Sequence, residues 1–390
     1  MNIGKEVLIK GVNLGGWLLM EGYILGGPNT PEQVFKKRFA KVCGQRALGE
    51  FERIFRDNFI REEDFKIIAH IGANTVRVPF NFRLIEKAPF CYSNTGLLYL
   101  ERALNWAEKY NLKVILDLHA APGAQNCDWH GDSAGRALLW ERRSYQDRTY
   151  VLWEKIVDRF KDKSALLGYD ILNEPVLGKK STTILKRFYK EAIKRIRAID
   201  KNHLIFIEGD NWAQRIDFLK DLIADKISVS THTYQPLSYA FNFTPFLKFP
   251  GRIDGVLWDE GRIYRYLEHY YKFSSKYKVR IFVGEFGINW RGGFWGELNW
   301  IKAILKAFKD FGFDYTYWTY KAVAQNCFPD GLYQYISDSE YINRPGPEYG
   351  WDNYFSLWGN KKQGLAQFLR TKNCTPNKKI ISVLRNSFNH

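Results

Sequence analysis

No run in this 390-residue sequence approaches the ~20 consecutive apolar residues that a membrane-crossing helix needs. Cysteine is scarce. Five is an odd number, which excludes a full disulfide framework, and no two form a CxxC pair, which removes zinc ribbons and thioredoxin-type motifs. Glycine-rich phosphate loops are missing too. Gly11, Gly15 and Gly16 lack the GxGxxG spacing of a dinucleotide site, and there is no Walker loop. Met1–Lys10 carries no apolar stretch after its charges, so no signal peptide is expected. That places the protein in the cytoplasm, or makes it a secreted protein whose signal is absent from this sequence. No Ser/Gly-rich or Pro-rich linker divides the chain. One catalytic domain over 1–360 is expected, followed by a basic tail over 361–390 that packs on that domain or extends from it.

What the sequence does hold is charge and aromatic rings. Lys and Arg exceed Asp and Glu by 16, which raises a nucleic-acid reading. Acids interleave with the bases, as in Lys155, Asp158, Arg159, Lys161, Asp162 and Lys163, which is the pattern of a solvated helix face. No specific nucleic-acid partner is expected. Phe, Trp and Tyr make 16% of the chain. Such rings build cores, but Trp and Tyr also offer flat apolar platforms with a polar edge, the complement of a sugar ring.

Short apolar runs alternate with amphipathic stretches. Eight strands are predicted: Val7–Asn13, Thr75–Pro79, Val114–His119, Leu167–Leu172, Leu204–Glu208, Ile227–His232, Arg280–Glu285 and Tyr315–Trp318. Runs such as Val114-Ile115-Leu116 suit parallel strands buried on both faces. Helical spacing appears over Glu62–His70, Leu97–Tyr110, Thr149–Phe160, Ile184–Ile199 and Leu298–Phe311. Eight strands with helices between them predict an α/β fold, a (β/α)8 TIM barrel. The long segments after strands 1, 3, 6 and 8 then become loops on the catalytic face. Trp129, Trp290, Trp295 and Trp351 fall in such loops and are candidate sugar platforms. Cys127 and Cys327 also fall there, so one bridge stays open, although free thiols suit the absence of a secretion signal better.

Polar groups gather at the predicted strand ends: Arg77, Asp117, His119, Asn173, Glu174, Glu208, His232, Tyr234, Glu285 and Trp318. Glu174 and Glu285, on strands 4 and 7, would face each other across the barrel mouth. Two carboxylates across a cleft suit glycoside hydrolysis, one as acid and one as nucleophile or base. His119, His232 and a carboxylate resemble a metal set, but the His-x-His pair of metal-dependent barrels is absent, so neither metal nor cofactor is expected. Arg77 has a plain alternative, a buried pair with Asp117 or Asp170. His130 either binds sugar hydroxyls or caps its loop.

Asn173-Glu174-Pro175 and Gly284-Glu285-Phe286-Gly287 resemble glycoside hydrolase family 5. Asn13-Leu14-Gly15-Gly16-Trp17-Leu18 and the run from Leu116 to Asn126 are similar to its exo-β-1,3-glucanase branch. The resemblance implies a retaining mechanism with Glu174 as acid/base and Glu285 as nucleophile. It implies that Arg77 and Tyr234 hold Glu285 ionised, and that Asn173 meets the sugar 2-OH. His119 and His232 would then line the cleaved ring, with Trp318 as its floor. From their predicted loop positions, His130, Trp129 and Trp295 are further candidate sugar contacts, or else loop packing. Glu174 is expected to be protonated near neutral pH. The expected substrate is an oligo- or polysaccharide with β-1,3 or β-1,4 glucan linkages. The alternatives are a β-mannanase or broad-specificity β-glycanase, and a silent carbohydrate-binding barrel, which the presence of both glutamates argues against.

Overall fold

The computed structural model describes residues 7–324, 327–335, 358–359, 362, 364 and 366–389. Eight parallel strands close into a barrel. They are β1 (Lys10–Asn13), β2 (Thr75–Asn81), β3 (Lys113–Ala120), β4 (Leu166–Asp170), β5 (Leu204–Glu208), β6 (Ile227–His232), β7 (Arg280–Phe286) and β8 (Asp314–Tyr317). Neighbours follow chain order, and β1 joins β8 to seal the ring. The first strand is shorter than predicted. Ile9 gives its N–H to the Asp314 carboxylate at 2.7 Å, so a side chain takes the place of a ladder bond.

The two-residue period of the strands sorts the barrel interior into layers. Ile9, Ile115, Phe206 and Phe282 form a separate apolar cluster that plugs the floor. Two residues further on, the same face of β3 and β5 presents Asp117 and Glu208, and β2 and β4 add Arg77 and Asp170, all fully buried. The interior thus changes from hydrocarbon to charge along the strand direction, and the charged end is the C-terminal face.

Outside the strands lies a ring of helices. The segment after β1 folds into α1 (Glu32–Cys43) and α2 (Gln45–Phe59) before α3 (Glu62–His70). Phe35, Phe39, Phe51, Phe55 and Phe59 pack ring on ring there, with centroids between 4.8 and 6.0 Å. Part of the aromatic excess is therefore core rather than sugar platform. Then follow α4 (Asn94–Lys109), α5 (Arg143–Phe160), α6 (Thr183–Ile199), α7 (Glu260–Tyr277) and α8 (Glu297–Phe311). Each shows the stripe that a barrel helix needs, as in Leu185, Phe188, Tyr189, Ala192 and Ile196 of α6, all buried. The helix between β5 and β6 is reduced to a 3₁₀ segment, Asp217–Leu222. Among the described residues, no helix is long and apolar enough to cross a membrane.

The stretch read as a basic tail contains α9 (Lys378–Asn389), which occupies the eighth helix position between α8 and α3. Ile380 and Leu384 are fully buried in it, and Phe388 stacks on Tyr315 of β8. Ser387 accepts a hydrogen bond from Lys10 at 2.8 Å through its carbonyl. Gly72, just past the end of α3, has φ +94, and a Cβ there would lie 2.8 Å from the Asn389 side chain. Leu384→Ala is expected to cost about 2–5 kcal/mol, the range for emptying a closed core site. Urea unfolding checks this, and a loss below ~0.5 kcal/mol, the range of surface substitutions, would show that α9 is not a barrel helix.

Candidate active site

Arg77 stands at the centre of the charged layer. Its Nη1 lies 2.9 Å from Glu285, its Nε 3.0 Å from Asp170, and its Nη2 3.1 Å from Asp117 and 3.2 Å from Glu208. Nη1 and Nη2 also donate to the side-chain oxygens of Asn13 and Asn173. One guanidinium cannot neutralise four carboxylates. Burial, with repulsion from Glu208, pushes Asp117 up to about 8 and Asp170 well above the usual carboxylate range, against the pull of Arg77. The two readings of Arg77, structural pair and catalytic support, therefore coincide in one side chain.

Glu285 reaches the mouth because β7 breaks register. Pairing with both neighbours shifts after Val283, a bulge that turns Glu285 toward the barrel axis. Gly284 makes room for this, since a Cβ there would sit 2.9 Å from the His232 ring. Tyr234 donates to the second oxygen of Glu285 at 2.8 Å.

Glu174 follows β4 with φ +47, a conformation costly for a residue with a side chain. Its N–H is held by the Glu208 carboxylate at 2.6 Å and its carbonyl by Asn126 at 3.0 Å. Both carboxylate oxygens are engaged, one by His232 Nδ1 at 2.7 Å and the other by His130 Nε2 at 3.0 Å. An oxygen of Glu174 and one of Glu285 lie within 4.8 Å of each other.

Protonation differs from the expectation at Glu174. Burial pushes its carboxyl up, but hydrogen bonds from His130 and His232 outweigh burial and hold it well below the usual carboxylate range. The proton sits on the partners. Burial works against a charged His130, yet Glu174 pulls it up to about 9. His232, buried among Glu208, Glu285 and Glu174, lies well above the ordinary histidine range. His119 goes the other way, lowered by burial to about 3. It contacts Asp117 at 2.7 Å through Nδ1 and stacks on Trp318 at 5.4 Å.

These groups line a cavity of about 350 Å³. His119, His130, Glu174, His232, Tyr234, Glu285, Trp129 and Trp318 reach it. Arg77 and Asn173 lie fully buried beneath it, and both ends of the Asn173 amide are engaged, by Arg77 and by His119. Trp295 does not reach the cavity. It packs against Phe246 and beneath Lys248, held by a loop that bonds Glu297. Trp290 is likewise occupied by Lys379, and Trp351 lies outside the described residues. Cys127 and Cys327 are unpaired.

The sequence reading missed Glu21 and Tyr23. Glu21 lines the cavity with one oxygen buried and unpartnered, and burial holds its carboxyl well above the usual range. Tyr23 hydrogen-bonds the Trp318 indole. A carboxylate beside an aromatic just beyond the strand-1 motif was the available signal. Glu174, His232 and Glu285 form a set that has metal-ligand proximity. The Arg77 guanidinium on Glu285 and the charged His130 and His232 on Glu174 make that set hostile to a second cation.

A closed parallel barrel with two glutamates facing each other at its C-terminal mouth defines the class of barrel glycosidases. The family model for cellulase, glycosyl hydrolase family 5, matches residues 43–323. The chain belongs to that family, and so to the glycoside hydrolases. A β-xylosidase of Phanerodontia chrysosporium is 31% identical over 290 residues, covering 73% of this chain and 59% of that protein. A glucan 1,3-beta-glucosidase of Schwanniomyces occidentalis is 31% identical over 212 residues, 50% of this chain and 48% of that protein. The chain thus spans about half the length of these relatives. The crystal structure of endoglucanase Cel5A from Thermotoga maritima has the same fold, with a TM-score of 0.63 at 21% identity over 96% of each chain.

Glu174 pulls His130 up to about 9, so as the acid's partner His130 would set the pH at which their shared proton is lost. His130→Asn should therefore move the alkaline limb of kcat/KM on an unactivated disaccharide about one pH unit or more toward neutral. An unchanged limb would show that the proton comes from elsewhere.

Proposed function

We propose that this protein hydrolyses β-glycosidic bonds with retention of configuration, through a covalent glycosyl-enzyme on Glu285. The observation that carries the reading is the approach of Glu174 and Glu285 to within 4.8 Å. Retaining pairs lie about 5–5.5 Å apart, whereas inverting pairs leave about 6.5–9.5 Å for a water between them.

Glu285, held by Arg77 and Tyr234, attacks the anomeric carbon as the glycosidic C–O bond breaks. The leaving oxygen takes a proton from the Glu174–His130 pair. Both groups share that proton across 3.0 Å, so a low-lying Glu174 still delivers it when a more basic oxygen forms. In the second step water attacks the same carbon. Its proton goes to Glu174, and the bond to Glu285 breaks. Glycosylation removes the negative charge from Glu285, which lies 3.6 Å from His232. The hold of His232 on Glu174 then strengthens, and Glu174 acts as base.

The glycan is a β-glucan or a related β-glycan. The cavity volume of about 350 Å³ is at the small end of ligand sites, which favours a chain end or short oligosaccharide over the middle of a polymer. Likeness to enzymes named for xylosides and for β-1,3-glucan supports β-linked sugars without choosing between them. In this reading Glu21, Tyr23, His119 and Trp318 hold the glycone, and Asn173 positions Arg77 and His119.

The test is hydrolysis of laminarin, lichenan, glucomannan, xylo-oligosaccharides and aryl β-glycosides. Glu174→Gln should lose about 10²–10⁴-fold on the unactivated glycans and much less on aryl glycosides, whose leaving groups need no proton. Glu285→Gln should lose activity on all of them. A 2-deoxy-2-fluoro glycoside should label Glu285 by one sugar mass. Label on another residue would overturn the nucleophile assignment.

A further inference from the structure

The cavity changes character at its mouth. Inside, Glu21, His119, His130, Glu174, His232 and Glu285 stand among the buried rings of Tyr23 and Trp318. At the rim stand Trp212, Leu237 and Phe243, exposed by 38%, 39% and 49% and all facing the same cavity. Large apolar side chains exposed in one cluster at a binding site mark an apolar contact.

The rim is also built in place. Asn211, Trp212 and Ala213 have φ of +59, +53 and +61, three successive residues in the left-handed region. Such a run costs free energy and persists only where the surroundings enforce it. Buried Ala213 anchors it, and the Trp212 indole donates to Asp128 at 2.8 Å. The hydrogen bond joins the rim to the loop that carries His130. Leu237 heads a short helix, Leu237–Ala240, directly after β6 and Tyr234. Phe243 packs edge-on against Phe241 and Phe328.

A second sugar ring at this position would need hydrogen-bond partners for its hydroxyls. Among the described residues the rim offers few. Asp128 Oδ2 is taken by Trp212, and Gln235 Oε1 accepts from Leu237 N–H. That leaves Asp128 Oδ1, the Gln235 N–H groups and the Gln214 amide. Leu237 has no flat face for a sugar, Phe243 has no polar edge, and the polar edge of Trp212 is already bonded to Asp128.

We propose that the mouth of the cavity receives an apolar aglycone, so that the favoured substrates are β-glycosides of alkyl or ring alcohols rather than of a second sugar. The inference rests on the glycosidase reading and narrows its leaving-group side.

Alkyl β-glycosides test it, because methanol, butanol and octanol are leaving groups of nearly equal acidity. Aryl β-glucosides, xylosides and mannosides first select the glycone. On that glycone, kcat/KM should rise about two-fold per methylene, about half on a logarithmic scale of what full burial of a methylene brings, or about 10²-fold from methyl to octyl. Leu237→Ser and Phe243→Ser should lower the octyl-to-methyl ratio several-fold. A 2-cyclohexylethyl glycoside separates the two sources of such an aglycone. Preference for it over octyl points to ring alcohols, the reverse to chains, and both agree with the proposal. A flat alkyl series, with cellobiose or laminaribiose cleaved faster than octyl glycoside, would overturn it and leave the glycosidase reading intact. Failure to cleave any glycoside, aryl ones included, would overturn both.

Discussion

Arg77 is the constraint around which the barrel mouth is organised. It is fully buried, yet it carries a charge that burial makes expensive, and the surroundings supply four carboxylates and two amides to hold it. Those partners come from β1, β3, β4, β5 and β7, and from the turn after β4. Each strand must keep its register for its partner to reach the guanidinium. A one-residue slip on any of them would turn its polar group outward and leave a charge unmatched. The same side chain that fixes strand register also holds the proposed nucleophile at 2.9 Å, so fold and chemistry lean on one ion.

The second centre is the pair of histidines on Glu174. Sequence reasoning assigned the acid's proton to Glu174 itself, by analogy with carboxyls raised by apolar burial. Here burial is present but outweighed, because His130 and His232 each occupy one carboxylate oxygen. The proton is thus a property of a cluster, and its titration belongs to the cluster rather than to one residue.

The strands were legible because each is a compact apolar run ending in a polar residue. All eight lie where those runs predicted, within three residues at either end. Arg77, Glu174, His232, Tyr234 and Glu285 were legible for the same reason, since they sit on or just past strands that the fold brings together. Loop residues were legible only in part: His130 and Trp129 reach the cavity, but others went unread. Nothing in the spacing of Glu21, Trp212 or Phe243 says which way their loops fold, and Trp295, read as a platform, is turned away by the turn around Glu297. α7 escaped notice because its buried stripe is sparse, with Ile263, Leu267, Tyr270 and Phe273 set among Arg, Lys and Tyr. α9 escaped because its basic surface drew attention from Ile380 and Leu384.

The bond from Lys10 to Ser387 spans 377 positions of sequence, and β1 meets β8 over nearly as long a separation. Contacts so distant along the chain form late, because the entropy of closing the loop must be met before they contribute. During synthesis, β1 emerges early and can pair with β2, but its other edge stays open until β8 follows and α9 covers the seam. Between the emergence of β2 and that of β8 the growing chain therefore exposes an unpaired strand edge. On that edge Ile9 presents an N–H and a carbonyl that Asp314 and Tyr315 take up only when β8 arrives.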